Sequence, residues 1–366
     1  MNLLHKKNPN SALPRDRSPR LLAIQIAGIG DLVLATPALD ALRERYPDAR
    51  IDLLTSPRAV GLLQGHPALD EVFAFDIGRF RNPLSLLLPG NGRDLKDSIA
   101  PMRKVGYDAL LSLNNISTTR GAWTLGGLMK LIGAPIWVGR NTDSRAPWFD
   151  CAVTDHSDEP TPEALTKLRV AACLDASTQD RPLHLPIRDE DRRKIEELLP
   201  PSTKPFAAIL PGANVEMKRW PVERFGRVAE HLAQRGYQIV TLGGTEDRVV
   251  VDRMQGSASV NLLRFEGMLN LSETAAMLAA CSVTVSNDTG PMHMAAAVGT
   301  PLVALFCSVN VSRYRPWMDE KKYRVLTTEP AGVDPKSREG MRSSMQGITI
   351  DRVLGALEEL EQEVAS

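Results

Sequence analysis

The turn Asn287-Asp288-Thr289-Gly290, with Pro291 and His293 behind it, gathers capping residues, a glycine and an imidazole in one short stretch. Asn, Asp and Thr accept backbone N–H groups at helix starts, and glycine takes up tight backbone conformations. Pro291 sits where its missing N–H would be unpaired anyway. A helix start of this kind offers free N–H groups and the positive end of the helix dipole, which suits an anion. A capped helix packed on a sheet accounts for Asn287 and Pro291. It does not call for Asp288, Thr289 and His293 to converge, so the stretch reads as a phosphate site.

Two more loops carry charge where a ligand would meet it. PGANVEMKRWP (211–221) follows an apolar run and precedes a helical pattern, so Lys218 and Arg219 stand at a strand end, with Trp220 packing beneath. A solvated basic turn is the plain reading of such a pair, but its place at the carboxyl edge of the same sheet as Asp288 makes phosphate contact plausible. LGGTED (242–247) is a third strand-end loop, whose Glu246 or Asp247 suits a ribose or sugar hydroxyl, or else caps the next helix. In the first half, GIGDLV (28–33) begins like a dinucleotide fingerprint but has Val33 where the third glycine belongs. Asp31, at the helix start, can accept a proton from a bound hydroxyl or serve as a helix cap.

The elements that hold these loops follow a βαβ rhythm. Apolar runs at 21–27, 50–55, 71–75, 107–113 and 134–138 alternate with helical spacing, and a second series runs through 206–210, 238–242, 261–263, 282–286 and 301–306. That rhythm marks parallel, doubly wound sheets. The segment 79–104 reads as a surface loop plus a helix, 118–132 as a helix, and 134–138 as a strand leading into GRNTDSR, which carries Arg140 and Arg145. The expected division is a disordered tail at 1–20, a first domain at 21–180, a connector at 181–205 and a second domain at 206–345. A C-terminal helix at 346–366 is expected to pack back toward the first domain. The two sheets would face one another across a cleft.

Bulk properties narrow the field. A chain of 366 residues exceeds what one core usually serves. Lys plus Arg equals Asp plus Glu at 44 each, so no global field recruits nucleic acid or an acidic membrane, and any basic patch is local. The four cysteines, Cys151, Cys173, Cys281 and Cys307, are scattered among apolar residues, as reduced thiols of a cytoplasmic protein are. The longest apolar run, 292–309, is broken by Gly299, Thr300 and Pro301 and reads as helix–turn–strand rather than a membrane span. Asp189-Glu190-Asp191 reads as the solvated face of a connector helix. His5, His66, His156, His184 and His231 lack metal-ligand spacing. No Walker A, G-x-S-x-G or nucleic-acid motif occurs.

Taken together, GIGDLVLATPALDALRERYPDARI, PGANVEMKRWP and SNDTGPMHMAAAVGTPLVALF resemble the heptosyltransferases of glycosyltransferase family 9, in order and spacing, over roughly residues 20 to 345. The resemblance implies a GT-B architecture of two Rossmann-like domains, with the acceptor on the first and the nucleotide sugar on the second. It implies inverting transfer of a heptose or related sugar from an ADP-sugar to a lipopolysaccharide-core or similar acceptor, with no cofactor and no obligatory metal. It gives Asp31 the role of general base and Lys218 that of diphosphate ligand. Asp288, Thr289, Gly290 and His293 fall on the block that holds donor sugar and phosphates, and Asp247 on an acidic donor contact. Many relatives have a Gln-Gly turn where this chain has Asn114-Asn115 followed by Arg120.

For a phosphorylated, lipid-linked acceptor, Arg120, Arg140 and Arg145, with Arg79, Arg81, Arg93 and Arg103, offer a local basic wall; dispersed surface arginines are the alternative. The implied setting is cytoplasmic, with transient contact at the inner face of the inner membrane and no nucleic-acid partner. Competing readings are a sugar-nucleotide epimerase of the same architecture, a nicotinamide oxidoreductase (disfavoured by Val33), and a non-catalytic nucleotide-sugar or glycan-binding protein.

Overall fold

Short runs of Leu, Ile, Val and Ala, buried on both faces, build the centre of each half, as parallel strands covered by helices require. A computed structural model describes residues 3–5, 13–26, 28–79 and 91–365. The chain divides into two compact units, Met1–Arg181 and Pro182–Ser366.

In the first unit the chain runs β1 (Leu3–His5), β2 (Arg20–Gln25), α1 (Ile29–Val33), α2 (Thr36–Arg45), β3 (Arg50–Thr55), β4 (Glu71–Ala74), α3 (Asn91–Val105), β5 (Ala109–Ser112), α4 (Thr119–Ile132), β6 (Ile136–Thr142), β7 (Cys151–Asp155) and α5 (Glu163–Ala172). The sheet order is β1-β7-β6-β5-β2-β3-β4, parallel throughout except for β1 on β7. Strands progress outward in opposite directions from the neighbours β2 and β5. Such a reversal opens a crevice at the carboxyl ends of those two strands.

The second unit runs α6 (Asp189–Leu198), β8 (Phe206–Leu210), α7 (Val222–Gln234), β9 (Gln238–Thr241), α8 (Arg248–Gly256), β10 (Leu262–Arg264), α9 (Leu271–Ala279), β11 (Val283–Asn287), α10 (Gly290–Ala297), β12 (Leu302–Leu305), α11 (Val311–Tyr314), β13 (Tyr323–Leu326), α12 (Arg338–Gly347) and α13 (Ile350–Ala365). Its sheet, β10-β9-β8-β11-β12-β13, is parallel, and its order reverses between β8 and β11.

Four expectations are corrected. The tail is partly ordered: Leu3–His5 pairs with β7, and Arg17 donates to both carboxylate oxygens of Asp108 at 2.8 and 2.5 Å. The connector is not a linker. Helix α6 lies in the second unit and docks on α9, where Arg188 donates to Ser272 (2.9 Å) and Lys194 to Glu273 (2.6 Å). Asp191 is buried against Arg188 rather than solvated. Finally, the apolar face of α13 (Val353, Ala356, Leu357, Leu360) is spent in the core of the second unit, beside Trp220 and Phe225, rather than turned back on the first domain. Strands β7 and β13 had no counterpart among the expected elements.

Candidate active site

In the second unit the loops after β8, β9 and β11 bring the expected residues to the sheet's switch point. Asn287, the last residue of β11, is fully buried and ties two loops together. Its Oδ1 accepts from the Trp220 N–H (3.0 Å), and its Nδ2 donates to the carbonyls of Pro211 (2.8 Å) and Gly212 (3.3 Å). Trp220 is anchored in turn by its indole N–H on the Ile348 carbonyl (2.9 Å) and by an edge-on contact with Phe225. With the loop held so, the short helical turn Glu216–Lys218 aims Lys218 at Asp288, Nζ to Oδ2 2.5 Å. Burial alone lowers the Lys218 pKa, but the Asp288 carboxylate outweighs it and holds the ammonium above its ordinary value. Arg219 turns away and donates to the Ala213 carbonyl (2.9 Å).

Thr289 is the extended N-cap of α10, with Gly290 and Pro291 opening the helix. Thr289 Oγ1 and His293 Nδ1 are buried with no hydrogen-bond partner among the described residues. Buried polar atoms are rarely left so unless a ligand or water meets them. Burial pushes His293 down to about 4, so the imidazole is neutral at physiological pH and offers a hydrogen bond rather than a charge. Asp247 accepts from the Gly244 N–H at 3.0 Å. Its carboxylate is packed so closely on the β8 loop that a Cβ at Gly212 would lie 2.2 Å from Oδ1. Burial raises its pKa above the usual carboxylate value.

In the first unit a cavity of about 570 Å³ lies at the β2/β5 switch point, lined by Asp31, Asn114, Asn115, Thr118, Arg120 and Thr124, with Ile26, Ile77, Ile116 and Leu125 as apolar wall. Asp31 reaches it from the first turn of α1. Asn114 closes its floor: Oδ1 accepts from the Ile26 N–H (2.8 Å), and Nδ2 donates to the Ile24 carbonyl (2.9 Å). Thr118 caps α4 through the Gly121 N–H (3.0 Å) and so sets Arg120 at the cavity's rim.

The basic wall is only partly present. Arg140 lies on β6, which runs on through GRNTDSR to Thr142, and it is buried in ion pairs with Asp155 and Glu163, so it lines no acceptor surface. A guanidinium so enclosed by two carboxylates is structural. Arg145 pairs with Asp143 (2.6 Å) and donates to the Ile116 carbonyl (3.3 Å), supporting the cavity-lining segment. Arg79 pairs with Asp94, and Arg81 lies outside the described residues. His66, assigned no partner from its spacing, sits 3.9 Å from Asp40. Asn287 and Asn114 were missed as organisers. Both follow strands in the sequence, but only burial distinguishes them from ordinary loop asparagines.

The paired Rossmann-like sheets are shared with solved structures. The glycosyl transferase family 9 protein of Veillonella parvula DSM 2008 superposes with a TM-score of 0.77 at 23% identity, covering 98% of this chain and all of that one. The ADP-heptose LPS heptosyltransferase II of E. coli superposes at 0.73 with 24% identity, covering 95% and 100%. The architecture is therefore that of the GT-B glycosyltransferases. Residues 99–341 match the model of glycosyltransferase family 9 (heptosyltransferase), and the chain belongs to that family. Lipooligosaccharide heptosyltransferase 2 of Haemophilus ducreyi is 24% identical over 93% of this chain and 99% of its own length.

Proposed function

We propose that the protein is an inverting heptosyltransferase that moves a heptose, or a closely related sugar, from an ADP-sugar to a lipopolysaccharide-core acceptor. The observation that carries this reading is the α10 N-terminus, where Thr289 Oγ1 and His293 Nδ1 are buried and, among the described residues, unpartnered beside the Lys218–Asp288 pair. A diphosphate supplies the acceptor atoms and the negative charge such a site lacks. ADP as the nucleotide and heptose as the sugar come from the names of the similar enzymes.

In the proposed reaction the acceptor sits in the Asp31 cavity and the donor at the second unit's switch point. Asp31 takes the proton of the acceptor hydroxyl as its oxygen bonds to the anomeric carbon. The bond from that carbon to the diphosphate oxygen breaks on the opposite face through an oxocarbenium-like transition state, inverting the centre. The electron pair leaves with ADP, whose growing charge is met by Lys218 and the α10 N–H groups. That arrangement asks for no obligatory metal. Asp247 is assigned to donor hydroxyls and Arg120 to an acceptor phosphate, with Arg145 steadying the lining. Among the described residues no helix is long and apolar enough to cross a membrane. A lipid-linked acceptor would bring the enzyme to the inner leaflet transiently.

A thermal-shift panel with ADP, UDP, GDP, CDP and NAD, with and without magnesium, tests the donor side. Stabilisation by ADP alone, indifferent to magnesium, is expected; preference for another nucleotide overturns the donor assignment. Asp31→Asn should lower transfer by at least about a hundredfold while leaving ADP stabilisation intact.

A further inference from the structure

Lys167, on α5, is buried, and its ammonium is held by two strand ends. It donates to Gln25 Oε1 at 3.0 Å and to the Leu113 carbonyl at 2.6 Å. Gln25 ends β2 and Leu113 follows β5, the two strands whose divergence opens the Asp31 cavity. Glu163 lies one helical turn back, 3.6 Å from the ammonium, and is shared with Arg140 at 2.6 Å; Arg140 also pairs with Asp155. Within this cluster Arg140 and Lys167 balance Asp155 and Glu163, leaving no net charge.

The Lys167 ammonium sits under the cavity that Asp31 lines, since its partners Gln25 and Leu113 are the chain neighbours of Ile26 and Asn114 in the same lining, and the Asp31 carboxylate acts on it electrostatically. A buried ammonium needs compensation, which Gln25, the Leu113 carbonyl and Glu163 supply here. A structural cross-link between β2 and β5 needs only a neutral donor, which Asn114 already supplies one residue along. The charge therefore calls for its own explanation.

We infer that Lys167 is a positioning residue for the general base: its ammonium locks the β2 and β5 ends beneath the cavity and holds Asp31 in the ionised form that accepts the proton. The inference rests on the base role given to Asp31 above. Burial draws the Lys167 pKa below the ordinary lysine value, and Glu163 and Asp31 oppose that fall while Arg140 adds to it. The charged and polar groups around the pair include Gln25 from β2, Arg120 from α4, Arg140 from β6, Asp155 from β7 and Glu163 from α5, with the Arg145–Asp143 pair beside Ile116. Helix α2, packed on α5, adds Asp40 beside His66, Arg43 paired with Asp70 and Glu44 paired with Arg181.

The decisive measurement titrates the Asp31 carboxylate by 13C NMR, its signal assigned by loss in Asp31→Asn, with no substrate present. Lys167→Gln keeps a donor and removes the charge, so the Asp31 midpoint should rise by about half a pH unit or more. Lys167→Arg should bring it back toward the wild-type value. The acid limb of kcat/KM should move with the midpoint. A Lys167→Gln midpoint equal to wild type overturns the inference even if the melting temperature falls, since that is what a purely structural lysine gives. Should the variants fail to fold, the 15N shift of Lys167 Nζ in the wild-type protein at pH 7 decides: an ammonium is expected, and a neutral amine overturns it. Absence of transfer in the wild type would sink the functional reading instead, and leaves the midpoint comparison intact.

Discussion

Lys218 and Asp288 stand 70 positions apart in the chain yet form a 2.5 Å ion pair where β8 and β11 diverge. The pair is half-sheltered, with 31% of the lysine and 10% of the aspartate side chain exposed. It therefore supplies a pre-aimed cation rather than much net stability. Lys218→Met should weaken ADP affinity at least about tenfold, the scale of one charge-assisted contact to phosphate. Isothermal titration calorimetry reads this directly, and unchanged affinity would remove Lys218 from the donor site.

Asn287→Asp tests the strut under that pair. The substitution keeps the acceptor that takes the Trp220 N–H but turns two donated bonds, to Pro211 and Gly212, into oxygen–oxygen repulsion in a buried place. A loss of about 2–4 kcal/mol in urea unfolding is expected, from two unmet carbonyls and a buried charge. ADP affinity should fall with it, since the same loop carries Lys218.

His293 gives a pH signature. Its folded pKa, about 4, lies below the ordinary histidine value of 6.5. Between those values the unfolded chain binds the proton and the folded one does not, so stability is full above about 6.5 and drains away as pH falls toward 4. Linkage sets the loss at up to about 3 kcal/mol. The difference between wild type and His293→Gln, followed by denaturant unfolding from pH 7 to pH 4, isolates this contribution. Parallel curves would mean that His293 titrates normally and is not enclosed.

Gly212→Ala addresses Asp247. The added Cβ would lie 2.2 Å from Asp247 Oδ1, so the carboxylate must leave its place on the Gly244 N–H. Overpacking of this kind costs about 1–3 kcal/mol. If Asp247 contacts the donor, ADP-sugar affinity should drop further than the melting temperature alone explains. Equal affinity for the variant and wild type in a binding titration would reduce Asp247 to a helix cap.

What the sequence determined by itself was local. Continuous apolar runs such as LLAIQ and FAAIL point to buried parallel strands because they are short, bounded by turn residues and set in a βαβ alternation. Strand-end loops with Asp31, Lys218, Asp247 and Asp288 follow directly, since parallel sheets place successive carboxyl ends along one edge. Their order and spacing also carried the family, which the match over residues 99–341 bears out.

Only the tertiary structure decided which charges are enclosed. Arg140 reads as a surface arginine until β6, β7 and α5 assemble, because its partners Asp155 and Glu163 lie 15 and 23 positions away. Lys167 is hidden for the same reason, its Gln25 partner being 142 positions distant. The three-residue strand β1 and the destination of α13 were likewise illegible. A short strand has no stability of its own, and an amphipathic helix states that one face must be buried, but not against what. Burial and pairing are properties of the assembled chain, and they separate the polar residues at the two switch points from those enclosed in the packing of the fold.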